Sequence, residues 1–199
     1  DEERFKKSIE RSLNLLKRIQ IEQKMDELMK RTEELEEQQE KLSEQTENSN
    51  PSDQKEKDNL GKKQDEITKD LDQLKKEMEN LEQKMSEAPD MPMEDMEKIM
   101  EEFEKQENQQ LSEQASQDIQ KMQKQNAKKN QSQLSQNMKQ MKQMMQQMKD
   151  SMQQENQMQT FTDMMKILDN IISLSKQQEE LKRESENLEP NSSMMDAQA

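Results

Sequence analysis

Between Leu60 and Met85 one series of positions recurs at alternating steps of four and three: Leu60, Gln64, Ile67, Leu71, Leu74, Met78, Leu81, Met85. Gln64 is its one polar member. A repeat of 3.5 residues holds all eight on one side of an α-helix and scatters them over both faces of a strand, so the segment is a helix that needs a helical partner. Ile21, Met25, Leu28, Thr32, Leu35, Gln39 and Leu42 repeat the alternation. Upstream, Phe5, Ile9, Leu13, Leu16 and Ile19 share one helical face in a shifted register, which points to a broader, bundle-like stripe.

Composition agrees. The 199 residues include 31 Glu, 31 Gln, 26 Lys, 20 Met and 16 Leu, all good helix formers, against five Thr and no Val. Leu, Ile and Phe together number only 28, so the side chains available for burial are to a large extent flexible methionines. Acid-before-base pairs four apart (Glu3/Lys7, Asp26/Lys30, Glu27/Arg31, Glu37/Lys41, Asp65/Lys69, Asp72/Lys76) add about 0.2–0.5 kcal/mol each on exposed faces.

The same composition removes most chemistry. A single glycine, Gly61, excludes the phosphate loops that need several. Without His or Cys there is no Ser-His-Asp or Cys-His nucleophile, no ordinary zinc site, no thiol redox chemistry and no Glu-x-x-His di-iron bundle. The expectation is a protein that is not an enzyme and carries no cofactor. No run approaches the ~20 apolar residues that span a bilayer. The chain opens on Asp1 without a signal peptide, and is expected to be a piece of a longer protein.

Turn chemistry divides the chain. Helix 1 is expected over 1–47, then a linker at 48–53 containing Pro51, with Ser52 or Asp53 capping helix 2 over 54–87. Pro89 and Pro92 set a turn at 88–92. Helix 3 over 93–125 carries Met96, Ile99, Met100, Phe103, Leu111, Ala115, Ile119 and Met122; a weak break follows at the polar stretch 126–132. Helix 4 runs over 133–188, with a possible bend near 156–162, before a disordered tail at 189–199. Helices of ~35 residues are ~50 Å long. The expected fold class is therefore all-α, an extended antiparallel helical bundle or coiled-coil hairpins of about four long helices, with dynamic packing and self-association.

The most unusual feature is a methionine series, Met138, Met141, Met145, Met148 and Met152, leading into Met164, Leu168, Ile171 and Ile172. Three chemistries compete for it. Thioethers bind Cu(I), but a metal site needs two or three converging sulfurs rather than a repeat over two heptads. A packing seam needs that repetition, and unbranched side chains fill it. A Met-lined groove could also hold apolar helices of a partner. The nine residues are the candidate apolar interaction stripe, with no metal assigned.

Charge is uneven. Residues 1–100 carry 19 basic and 29 acidic groups, whereas residues 108–149 carry seven Lys against Glu113 and Asp118, within a chain of net charge −14. The basic stretch has no Arg and no aromatic residue for stacking, so pairing with the acidic first and second helices explains it better than nucleic acid does. The acidic run Glu33–Glu37 with Glu40 has no accompanying turn ligands and reads as a solvated face.

Two stretches carry a resemblance. Residues 5–18, continuing through Ile21–Leu28 to Gln38–Leu42, are one; Met165–Lys182, after a Gln/Met-rich helix, is the other. Together they resemble the C-terminal helical region of a family of large bacterial envelope proteins classed as a domain of unknown function. In that family transmembrane helices precede long Gln/Met/Glu/Lys-rich helical segments. The resemblance implies a fragment of a membrane-anchored bacterial envelope protein, and no activity. The expected function is a non-enzymatic scaffolding or interaction segment whose partners are protein helices, its own copies included. Membrane contact would come through segments outside this chain.

Overall fold

The computed structural model describes residues 2–50 and 52–187; Pro51 and the expected tail lie outside the described residues. They form five helices and no strand: α1 (Glu2–Asn48), α2 (Gln54–Ser86), α3 (Met93–Lys105), α4 (Asn108–Gln120) and α5 (Lys124–Asn187). The fold is all-α and bundle-like. The chain divides into two units, Asp1–Met152 and Gln153 onward.

In the first unit α3 and α4 together act as one leg, so four legs surround the core. Their directions follow from the side chains that pair. Arg31 meets Asp70 and Glu77 while Gln39 meets Gln64, so α1 and α2 are antiparallel. Lys75 meets Glu104 and Asp65 meets Ser116, which sets α2 against α3 and α4. Asn137 meets Asn108 and Asn130 meets Asp118, which sets α4 against α5. Lys142 meets Glu33 and Lys128 meets Glu47, which closes the ring between α5 and α1.

The core is the predicted series. Ile21, Met25, Leu28, Leu35 and Leu42 of α1 are buried with all eight members of the Leu60–Met85 series. Met96, Ile99, Phe103, Ala115 and Ile119 come from the third leg, and Leu134, Met138, Met141, Met145, Met148 and Met152 from α5. Each large apolar side chain removed from water contributes about 1.5–3 kcal/mol.

The connections show how ends are satisfied. Asp53, not Ser52, caps α2: its carboxylate accepts from the amides of Lys55 and Glu56. At the proline turn, Lys17 donates to the Glu87 carbonyl and Arg18 to those of Pro89 and Asp90, so α1 braces the crossover from α2 to α3.

Two expected boundaries are corrected. Helix 3 does not run over 93–125; it breaks at Gln106–Glu107, where Glu107 adopts φ 47. Buried positions step from Phe103 by five to Asn108, and this break absorbs the phase change. The Asn108 side chain then donates to the Phe103 carbonyl, satisfying an acceptor the helix end leaves open. The shifted phase leaves Leu111 half-buried and Met122 exposed, although the sequence sets both among the apolar residues of helix 3.

The second correction concerns residues 126–132, which are helical; the chain turns at 121–123 instead. There Met122 takes φ 63, its N–H donates to Ile119, and the Gln123 N–H reaches the Asp118 carbonyl, a Schellman motif without glycine. The buried series Ala127, Gln131, Leu134, Met138, Met141, Met145, Met148, Met152 passes through the supposed break at steps of four and three. A small and a polar member disguise it. α5 also stays helical through 156–162, where Thr160 and Thr162 donate back to the carbonyls of Asn156 and Met158.

Candidate functional site

The structure divides the candidate apolar stripe in two. Met138, Met141, Met145, Met148 and Met152 are at most 2% exposed and belong to the same core as Leu28, Leu35, Leu74 and Leu81. They are interior packing within their own chain. Met164, Leu168, Ile171 and Ile172 are 50–57% exposed, and Phe161, Met165, Ile167, Leu174 and Leu181 on the same stretch are exposed too. At the other end of the sequence, Phe5, Ile9, Leu13, Leu15, Leu16 and Ile19 of α1 are also exposed.

Within the bundle lies a buried polar layer built by all four legs. Gln39 and Gln64 exchange both amide hydrogen bonds, at 3.2 and 2.8 Å. Gln64 also donates to Ser112 at 2.9 Å, and Ser112 meets Thr68 at 2.7 Å. From the diagonal leg, Gln131 donates to the Gln64 carbonyl at 2.9 Å and to Thr46 at 3.2 Å. Thr46 gives its own hydroxyl proton to the Leu42 carbonyl, so toward Gln131 it can only accept. That orients the Gln131 amide and leaves its Oε1 without a partner. A second polar contact, Asn137 to Asn108 at 2.9 Å, joins α5 to α4.

Such a layer is poor at catalysis and good at specification. Its atoms are neutral amides and hydroxyls, and sliding one helix by a residue would strand several of them in an apolar interior. The sequence marks Gln64 as the one polar member of its seam and places Thr32 and Gln39 in the second series, and all three are fully buried. It missed Gln131, Asn108, Asn137 and Ser112. The step from Leu134 back to Gln131 and on to Ala127 was the signal available.

Four lysines in the first half of α5 reach α1 or the residue just after it. Lys149 meets Asp26, Lys142 lies 2.8 Å from Glu33, Lys128 lies 2.7 Å from Glu47, and Lys124 donates to the Glu47 and Ser49 carbonyls. Hydrogen bonding to Glu33, together with the nearby charges of Glu33 and Glu36, holds the Lys142 ammonium above its ordinary pKa against a smaller opposing effect of burial. Several charges predicted to pair along one helix are used between helices instead. Asp26 turns to Lys149, Arg31 to Asp70 and Glu77, and Asp72 accepts from Gln109.

Among the described residues no three His, Cys, Asp or Glu side chains gather as a metal site would require, and no helix is long and apolar enough to cross a membrane. Comparison with known protein families, curated proteins and solved structures returns no match.

Proposed function

We propose that this chain is a non-enzymatic helical scaffolding segment, part of a larger membrane-anchored bacterial envelope protein, that presents apolar helix faces to its own copies and to partner helices. The observation that carries the interaction reading is the distal half of α5. From Met158 to Leu181 ten large apolar side chains are 46–64% exposed on one continuous helix. An apolar surface of that extent on a helix is stable in water only when something covers it. The buried glutamine layer supports the scaffold part: it holds four legs in one register and offers no reactive group.

A chaperone-like module holding apolar helices in a Met-rich groove is the rival reading. Burial of Met138 to Met152 inside the bundle counts against it, because half of such a groove is already filled by the chain's own core.

Sedimentation of the full chain across a concentration series tests the proposal. Association that Ile167→Ser, Ile171→Ser and Leu174→Ser together abolish, without lowering the bundle's melting temperature, is the expected result. An invariant monomer would refute self-association, and capture of a hydrophobic model peptide along 138–172 would favour the chaperone reading.

A further inference from the structure

The first turns of α1 differ in kind from the distal part of α5. At 100° per residue, Phe5, Ile9, Leu13, Leu15, Leu16 and Ile19 fall within a sector of about 160°, interrupted by serine alone. All six are exposed, Phe5 by 68% and Leu16 by 52%. The opposite half holds Lys6, Lys7, Arg11, Lys17 and Arg18 against one acid, Glu10. Lys6 and Lys17 border one edge of the apolar sector and Arg11 the other. Lys17 and Arg18 also fasten the helix to the carbonyls of the proline turn, so the stretch before them starts from a braced point.

We propose that residues 5–19 of α1 form an in-plane attachment site for an anionic lipid bilayer. The apolar sector would enter the acyl boundary, and Lys6 and Arg11 at its two edges would lie at the phosphate level, where long basic side chains reach outward from an apolar stem. Charge selects the occupant. Between Met158 and Leu181 the exposed stripe of α5 carries four acids and two lysines, the opposite balance, and an anionic surface would repel it. The chain carries a net charge of −14 overall, and the basic stretch at 108–149 engages Lys128, Lys142 and Lys149 in ion pairs with Glu47, Glu33 and Asp26 of α1. This site is separate from the α5 face invoked above and does not depend on it.

The test is co-sedimentation of the full chain with vesicles of phosphatidylglycerol and phosphatidylcholine in a 1:3 ratio, and with pure phosphatidylcholine. Binding to the anionic vesicles alone, falling steeply with added salt, is expected. Lys6→Gln with Arg11→Gln removes one cation from each edge and leaves helix propensity intact. Binding should weaken by about fivefold per cation, roughly 25-fold together, with no change in melting temperature. Leu13→Ser with Leu16→Ser should lower it by at least about tenfold. Phe5→Trp supplies a fluorophore whose emission should shift to the blue on binding. Equal binding to neutral vesicles, or none to anionic ones, would overturn the proposal. So would vesicle-free self-association that Leu13→Ser with Leu16→Ser abolishes, which would make the face a docking site for a second copy.

Discussion

The glutamine layer makes an asymmetric prediction. Both side-chain bonds of Gln39 go to Gln64, whereas Gln64 is also held by Ser112 and Gln131. Gln64→Leu therefore strands the Gln39 carbonyl and amide together in a dry interior. At about 2 kcal/mol for each of the two stranded groups, less roughly 1.5 kcal/mol from added apolar burial, the net cost is about 2.5 kcal/mol. For a chain of this size that lowers the melting temperature by about 5–10 °C. Gln39→Leu leaves Gln64 with a donor from Gln131 and an acceptor in Ser112, and should cost no more than about 1 kcal/mol. The double variant removes the stranded pair and should resemble Gln39→Leu alone, giving a coupling as large as the Gln64→Leu cost, about 2.5 kcal/mol. Urea unfolding followed by far-ultraviolet circular dichroism measures all three. Equal single effects, or a double variant equal to their sum, would show that the exchanged amide bonds do not carry the layer.

Replacing Met138, Met141, Met145, Met148 and Met152 by Leu nearly conserves volume and reduces the side-chain entropy lost on burial, so thermal melts should stay level or rise; Cu(I) should leave the melting temperature of the native chain almost unchanged. Gly61 lies within α2, and a methyl group added there meets only the end of the flexible Gln120 side chain. Gly61→Ala should therefore stabilise the bundle by about 0.5–1 kcal/mol in denaturant melts, and a loss would show that Gln120 is held in place. Because its contact with Glu33 raises the Lys142 pKa in the folded chain, that contribution is full below the ordinary lysine value of about 10.4 and fades as pH climbs through the higher folded value. Lys142→Met should accordingly remove part of the alkaline loss of stability, as read by melting temperature between pH 9 and 12.

Whereas the stripe from Phe5 to Ile19, read as bundle-like, is exposed, helicity, the buried faces of α2 and of α1 from Ile21 onward, the proline turn and the Asp53 cap region follow from local rules. They depend on a 3.5-residue repeat, on ring closure at Pro89 and Pro92, and on good helix formers between them. All of these act within a few residues of chain and can be read from order alone. Which polar residues go inside is a different kind of decision. Gln131 resembles its exposed neighbours in the sequence, and only the approach of Gln64 and Thr46 from two other legs makes its burial affordable. Likewise Glu107 and Met122 adopt left-handed conformations without glycine, because the break at Glu107 brings Asn108 back into phase with the core and the turn at Met122 leads the chain from α4 into α5. The methionine series shows both levels in one helix. Its spacing announced a buried face from Met138 onward, and packing against three other legs ended that burial at Met152, leaving the more apolar stretch beyond it exposed. Local periodicity defines a face, but whether water leaves it depends on a partner surface that no single helix encodes.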